Sequence, residues 1–322
     1  MAKFNIAYLQ FHRDFLKMTL WTLKRLPQEY RDQICLNVYT SDASEANYRK
    51  FIDSYVGDSF KWNVVSVKYG INYILKVREA CKQDAEYTFK WDEDVFINEH
   101  VIMYMMDNAK MLDNPENLLL APSLSNGIPT TDMFTDTFLT EEERAILHNF
   151  YLKTSIPNMW DAGFEELDKY TVLAREWNPQ KYYEAVGRVQ HFYRGIHPIR
   201  INYAATEYLD GLILNKIDQY KAPQEYDMVA NPGPYFCNSL FLIKTKTWSE
   251  IANNEGLFRD AFDEVPLNLY RHLYNKKMWF IRNSFGVHPI YQALKDKRSG
   301  QLEKRFYEEF VKKVTGLAFD LV

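Results

Sequence analysis

The chain has 322 residues, 47% of them hydrophobic and 16% aromatic, which is enough apolar surface for one large or two closely packed domains and unlike a disordered chain. Its 39 basic and 43 acidic side chains leave a net charge of -4, so overall charge draws it neither to nucleic acid nor to an anionic membrane; either partner would need a local basic patch. Cys35, Cys81 and Cys237 lie far apart, without the paired spacing of a zinc site or a disulfide framework, as suits a reducing compartment.

At the N-terminus the apolar run Phe4 to Phe11 is short and is followed at once by His12, Arg13 and Asp14. That pattern predicts no secretory leader, and no run approaches the roughly 20 apolar residues of a membrane span, so a cytoplasmic protein without membrane insertion is expected. Up to Ser125, strand-like and helix-like periods alternate. KFNIAYLQF, ICLNVYT, WNVVSVKY, YTFKW and NLLLAPS read as short buried strands, with segments of helical spacing beginning near Asp14, Glu45, Ile71 and Glu99. In the first helix Phe15, Met18, Leu23 and Leu26 form the inner stripe, and Pro27 marks its end. Such alternation predicts an α/β fold, a mostly parallel sheet covered by helices on both faces, whose ligands collect beyond the carboxyl ends of the strands.

The acidic cluster Asp92, Glu93, Asp94 follows the fourth strand, and Asp42 follows the second, so both fall beside one cleft. Two aspartates one residue apart on an extended chain point the same way and could share a hard divalent cation whose other ligands are phosphates. Acidic triplets also cap helices, and Asn98 and Glu99 open a helix just downstream, where negative charge suits the dipole.

From about residue 126 to 230 the strand-helix rhythm is lost. Helical stretches at Glu141 to Lys153 and Ala205 to Ile217 are interrupted by turn signals at Pro129, Pro157, Pro179 and Pro198, as expected of a large, mainly helical insertion. The rhythm resumes over residues 231 to 290, with YFCNSLFLIK as a strand, Trp248 to Asn253 and Leu267 to Tyr274 as helices, and MWFIRN as a last strand leading into GVHP. Residues 291 to 322 read as a C-terminal helix whose mixed charges suggest a solvated face.

Four short motifs in this order carry a family resemblance: the acidic cluster after the fourth strand, the glycine turn NPGPYF, the acidic pair opening FDEVPLNLY, and the late histidine of FGVHP. Together they resemble the metal-dependent GT-A glycosyltransferases, over roughly residues 1 to 125 and 230 to 290. The chain departs from that pattern in lacking a proline-rich first strand, in carrying Asp-Glu where many relatives carry Glu-Asp, and in its insertion. The resemblance implies a GT-A-like sheet and transfer of a sugar from a nucleotide-diphosphate donor to an acceptor hydroxyl. Residues 1 to 125 would bind the nucleotide sugar, 126 to 230 the acceptor, and 231 to 290 would supply the catalytic acids.

It further implies a Mn2+ or Mg2+ cofactor that stabilises the departing diphosphate, with Asp94 as first ligand, Asp92 on the metal or the ribose, and His288 completing the site. Glu264 matches the position of the base that deprotonates the acceptor, with Asp263 beside it, and such a base implies inversion at the anomeric carbon; both residues also suit the first turn of a helix. Donor recognition falls to Tyr8, Gln10 and Phe11 at the end of the first strand and to Asp42, while Arg78 either approaches phosphate or is a solvated helix arginine.

Within the insertion, Arg188 and Arg194 stand among Trp177, Tyr193 and other aromatics. Basic residues beside aromatic platforms suit phosphate-backbone binding and base stacking, and they equally suit glycans or an amphipathic helix pair. The acceptor is therefore either a hydroxymethylated DNA base, as in bacteriophage DNA modification inside an infected host cell, or a surface glycan. A nucleotidyltransferase could use the same sheet, but no glycine-rich, lysine-containing loop follows the first strand; a non-catalytic nucleotide-sugar-binding module is the remaining alternative. Oligomeric state is not readable from the sequence.

Overall fold

The computed structural model describes residues 2–10, 15–41, 44–67, 73–80, 82–127, 129–151, 199, 202–231, 236–237, 239–254, 257, 264–289 and 297–317. Eight strands form one sheet: β1 Phe4–Leu9, β2 Ile34–Thr40, β3 Lys61–Ser66, β4 Tyr87–Asp92, β5 Asn117–Leu124, β6 Met228–Ala230, β7 Leu240–Lys244 and β8 Lys277–Gly286. Their order across the sheet is β3-β2-β1-β4-β7-β5-β8-β6. β1 pairs in parallel with both β2 and β4, β2 with β3, and β5 with β8; β7 runs antiparallel between β4 and β5, and β6 antiparallel along the edge of β8. The fold is thus α/β with a mostly parallel sheet.

The described helices are α1 Leu16–Arg25, α2 Gln28–Arg31, α3 Glu45–Val56, α4 Tyr73–Ala80, α5 Glu99–Asp107, α6 Thr130–Phe138, α7 Glu141–Tyr151, α8 Tyr203–Asn215, α9 Ile217–Lys221, α10 Thr245–Ala252, α11 Glu264–Leu273 and α12 Lys297–Thr315. Among the described residues no helix is long and apolar enough to cross a membrane.

Strand alternation divides the core between the two faces. Phe4, Ile6 and Tyr8 of β1 join Leu20, Leu23, Ile52 and Ile102 in one apolar layer under α1, α3 and α5. Ala7 and Leu9 point the other way, into a layer with Val77, Trp248 and Leu267 from α4, α10 and α11. A polar string crosses this second face: Asn63 donates to Asn37, Asn37 to Asn5, and Asn5 both to Thr88 and to the Ala80 carbonyl at the end of α4. An apolar strand face would hold α4 by packing alone; here a side-chain amide also fixes its last turn.

A third cluster lies beyond β8, where Phe15, Phe96, Phe134, Phe285 and Tyr220 meet Phe306, Tyr307 and Phe310. The four predicted α1 positions are all buried, but Phe15 and Met18 belong to this cluster while Leu23 and Leu26 belong to the first. The charged C-terminal stretch has its solvated face, with Lys304, Arg305 and Glu309 exposed, and an apolar face opposite. Within α12, Phe306, Tyr307, Phe310, Val311 and Val314 recur at helical spacing and are buried, and the Tyr307 hydroxyl donates to the Phe15 carbonyl at 2.9 Å. The segment expected as an insertion begins with α6, which lies directly against β5 and β8.

Where β5 and β8 run side by side their register shifts between Pro122 and Leu124, and Leu124 comes to face Gly286. A Cβ on Gly286 would sit 2.4 Å from the Ser123 carbonyl oxygen and 2.5 Å from Leu124 Cδ2, so only glycine permits this approach. Gly286→Ala is expected to force the strands apart and destabilise the fold by about 1–3 kcal/mol, read as a lower denaturant midpoint at unchanged m-value.

Candidate active site at the carboxyl edge of the sheet

Strands β1, β2 and β3 step outward in one direction, and the chain then returns to place β4 on the other side of β1. That reversal falls at the carboxyl ends of β1 and β4, where open sheets bind ligands in a crevice. Gln10 follows β1 there, and the acidic cluster turns out of β4. The Asp92 amide donates to the Ser239 carbonyl beside β7, and the Val95 amide closes a tight turn on the Asp92 carbonyl. Two buried side chains brace this turn: the Trp91 indole donates to the Val95 carbonyl at 2.8 Å and the Tyr8 hydroxyl to the Glu93 carbonyl at 3.2 Å. Burial, and then the Glu93 charge, hold the Tyr8 phenol well above its ordinary range, so it stays a neutral donor.

After the turn, the chain crosses the end of the sheet and pairs with the continuation of β8. Phe96 and Val287 exchange both backbone hydrogen bonds at 2.8 Å in an isolated antiparallel bridge. This bridge brings together two residues far apart in sequence: His288 Nε2 lies 3.3 Å from Asp94 Oδ1, with both side chains buried. The other ring nitrogen, Nδ1, lies 2.7 Å from the Asn126 carbonyl, and the His288 amide donates to Ser125 Oγ at 3.0 Å. A carbonyl can only accept, so Nδ1 carries the hydrogen. In the neutral ring the Nε2 lone pair then faces a carboxylate oxygen, an arrangement held together by a proton or a cation between them.

A divalent cation fits this donor set. Bonds of about 2.0–2.2 Å to adjacent ligands at right angles place the ligand atoms about 3 Å apart. The Asn126 carbonyl gives His288 the outer hydrogen bond that orients a ligating imidazole. Among the described residues no group of three or more His, Cys, Asp or Glu side chains is arranged to hold a metal, so Asp94 and His288 form a pair to which a cation would add further ligands. Asp92 faces the crevice partly exposed, its Oδ2 2.6 Å from the ammonium of Lys90, which has no solvent exposure.

The remaining predicted site residues fall as follows. Tyr8 is enclosed beneath the turn, and Gln10 accepts a hydrogen bond from Thr40 through its side-chain oxygen at 2.8 Å. The Arg78 Nε donates to the Ala252 carbonyl at the end of α10, which ties α4 to that helix; two residues earlier, Lys76 donates to the Gln10 carbonyl and lies in the field of Glu93 and Asp92. Glu264 is the first residue of α11. Asn268, one turn on, both donates to the Phe236 carbonyl and accepts from the Phe236 amide at 2.9 Å, which fixes that helix beside β7. Phe11, Asp42, Asp263, Trp177, Arg188, Tyr193 and Arg194 lie outside the described residues.

Three contributors were not foreseen. The Ser125-Asn126 turn that orients His288 is signalled only by the turn-forming SNG after an apolar strand. Lys90 stands two residues before Asp92 and so on the same strand face, a usable signal. Nothing distinguishes Lys76 in sequence from a solvated helix lysine.

No protein-family profile matches the chain, and no curated protein matches it in sequence. Among solved structures, it is similar to GalNAc-T7 with UDP, GalNAc and Mn2+, at a TM-score of 0.47 and 9% identity over 89% of this chain. The chain spans 43% of the length of that protein. A 4-diphosphocytidyl-2C-methyl-D-erythritol synthase from Anaerococcus prevotii DSM 20548 aligns at a TM-score of 0.39 and 8% identity, covering 92% of this chain and 94% of that one. S. aureus TarS 1-349 in complex with UDP-GlcNAc aligns at 0.30 and 11%, covering 67% and 73%. These likenesses are loose, and the chemistry has to be carried by the chain's own residues.

Burial lowers the Lys76 ammonium from the ordinary 10.5 to about 8, partly opposed by the carboxylates of Glu93 and Asp92. Below pH 8 both folded and unfolded chains carry the charge and the folded state bears the full burial penalty; between about 8 and 10.5 only the unfolded chain holds the proton. In metal-free buffer, the stability of the wild type relative to Lys76→Met is therefore expected to rise across that window by up to about 3 kcal/mol, measured by denaturant unfolding at each pH.

Proposed function

We propose that the chain is a cation-dependent glycosyltransferase that moves a sugar from a nucleotide diphosphate to an acceptor hydroxyl with inversion. The observation that carries the proposal is the meeting of Asp94 Oδ1 and His288 Nε2 at 3.3 Å beyond the strand ends where the order of the sheet reverses. Asp94 and His288 would hold Mn2+ or Mg2+, and Asp92, fixed by Lys90, would hold the ribose. When bound, the cation supplies charge neutralisation to the departing diphosphate.

The chain's own residues would do the rest. Gln10, Phe11 and Asp42, at the ends of β1 and β2, would line the nucleoside end of the crevice. Glu264, at the start of α11, would accept the proton of the acceptor hydroxyl, with Asp263 beside it. The acceptor oxygen bonds to the anomeric carbon from the face opposite the diphosphate; the old carbon–oxygen bond breaks with its electron pair on phosphate, and the proton ends on Glu264. Arg188, Arg194, Trp177 and Tyr193 would bind the acceptor, either a hydroxymethylated base in DNA or a glycan.

A panel of nucleotide sugars is expected to yield nucleoside diphosphate, in the presence of Mn2+ and not of EDTA. Release of sugar 1-phosphate would point to nucleotidyl transfer, and no turnover with any donor to a binding module. Asp94→Asn and His288→Ala should each lower kcat/KM at least about 100-fold. Glu264→Gln should lower kcat by about 100- to 10,000-fold with donor affinity retained, measured by nucleotide titration beside steady-state rates. For the acceptor, Arg188→Ala with Arg194→Ala should weaken binding of hydroxymethylated duplex DNA and flatten its salt dependence if the acceptor is DNA, and leave it unchanged if it is a glycan.

A further inference from the structure

Lys76 has no solvent exposure, yet it is charged chemistry at the edge of the crevice that the proposed reaction leaves unassigned. Its helix is fixed at two points, by the Asn5 amide on the Ala80 carbonyl and by the Arg78 guanidinium on the Ala252 carbonyl, so the position of the ammonium is set by the scaffold and not by the ligand. The ammonium donates to the Gln10 carbonyl, the first residue past β1, and faces the carboxylates of Glu93 and Asp92 at the end of β4. One side chain from α4 is thereby bonded to the end of β1 with the charges at the end of β4 nearby, at the place where the sheet reverses.

Enclosure makes a direct salt bridge to an incoming phosphate the poorer use of such a group. A lysine with three donors and no exposure is suited to fixing backbone and carboxylates in place. Glu93, itself buried, supplies negative charge on the same side, so the middle residue of the acidic cluster also has a place in this arrangement and not only its two flanking aspartates.

We propose that Lys76 is a positioning residue that locks the end of β1 to the acidic turn and so sets the cation-dependent part of nucleotide binding; this rests on the glycosyl-transfer reading above. Its action is indirect, through the placement of Asp92 and Asp94 relative to Gln10. A purely structural lysine would affect stability and leave the cation dependence alone.

The test is calorimetric titration of the full chain with UDP, GDP, ADP, CDP and dTDP, each in Mn2+ and in EDTA, using the tightest nucleotide thereafter. Wild type is expected to bind more tightly with Mn2+, and Lys76→Met to lose at least about 10-fold of that enhancement with EDTA binding little changed. If Lys76→Met does not fold, Lys76→Met with Glu93→Gln removes both buried charges together and is read in its place. Ile52→Ala, which opens a cavity under α3, should lower stability and keep the enhancement. An enhancement retained in the Lys76 variants, or lost equally in Ile52→Ala, overturns the role of Lys76. A wild type with no Mn2+ enhancement for any nucleotide overturns the glycosyl-transfer reading instead.

Discussion

Two hydrogen bonds between Phe96 and Val287 are what the candidate site depends on most. They are the only regular pairing outside the named strands among the described residues, and they join a turn leaving β4 to the end of β8, with β7 and β5 lying between those strands in the sheet. Asp94 precedes this bridge and His288 follows it, so their separation is set by backbone geometry more than by side-chain freedom. The aromatic cluster around Phe96 keeps the bridge dry: Phe15, Tyr307 and Phe310 all lie within about 6 Å of its ring centroid. A C-terminal helix with a charged outer face therefore bears directly on the geometry of the candidate site.

Beneath the acidic turn the chain uses polarity where an apolar core would be cheaper. Lys76 and Lys90 are fully enclosed, and the amides of Asn5, Asn37 and Asn63 run in line across three strands. Breaking such a connected network leaves buried charges or amides without partners, at a cost well above that of its neutral replacement. The network restricts how α4 and the turn can sit relative to each other, and a crevice meant for a highly charged ligand gains from walls that do not rearrange as the ligand enters.

Much of this was legible in the residues and some was not. The five strands of the first half, the helices between them and the position of the acidic cluster follow from periodicity, because strand and helix periods differ and the breaks fall at turn residues. His288 was readable as a candidate only through the order of short motifs, since a histidine before proline has many structural uses. The direction of β7 was not readable: an apolar run looks the same to periodicity whichever way it is threaded, and its antiparallel placement between β4 and β5 is a property of the whole sheet. Lys76 was invisible for a related reason. Its α4 packs on a face made polar by Asn5, Asn37 and Thr88, whose shared orientation emerges only once three strands are in register.

The threading of β7 also dictates the order in which this chain can fold. β1 to β4 and their helices are complete within the first third of the sequence, but the far edge of β4 and the near edge of β5 are both paired by β7, which begins at Leu240. Until that stretch leaves the ribosome, two apolar strands present open backbone edges, the template that favours pairing with another chain. Closure of the sheet is a late and long-range event, because both neighbours of β5, β7 and β8, come long after it in the chain, and slow folding is expected from that topology.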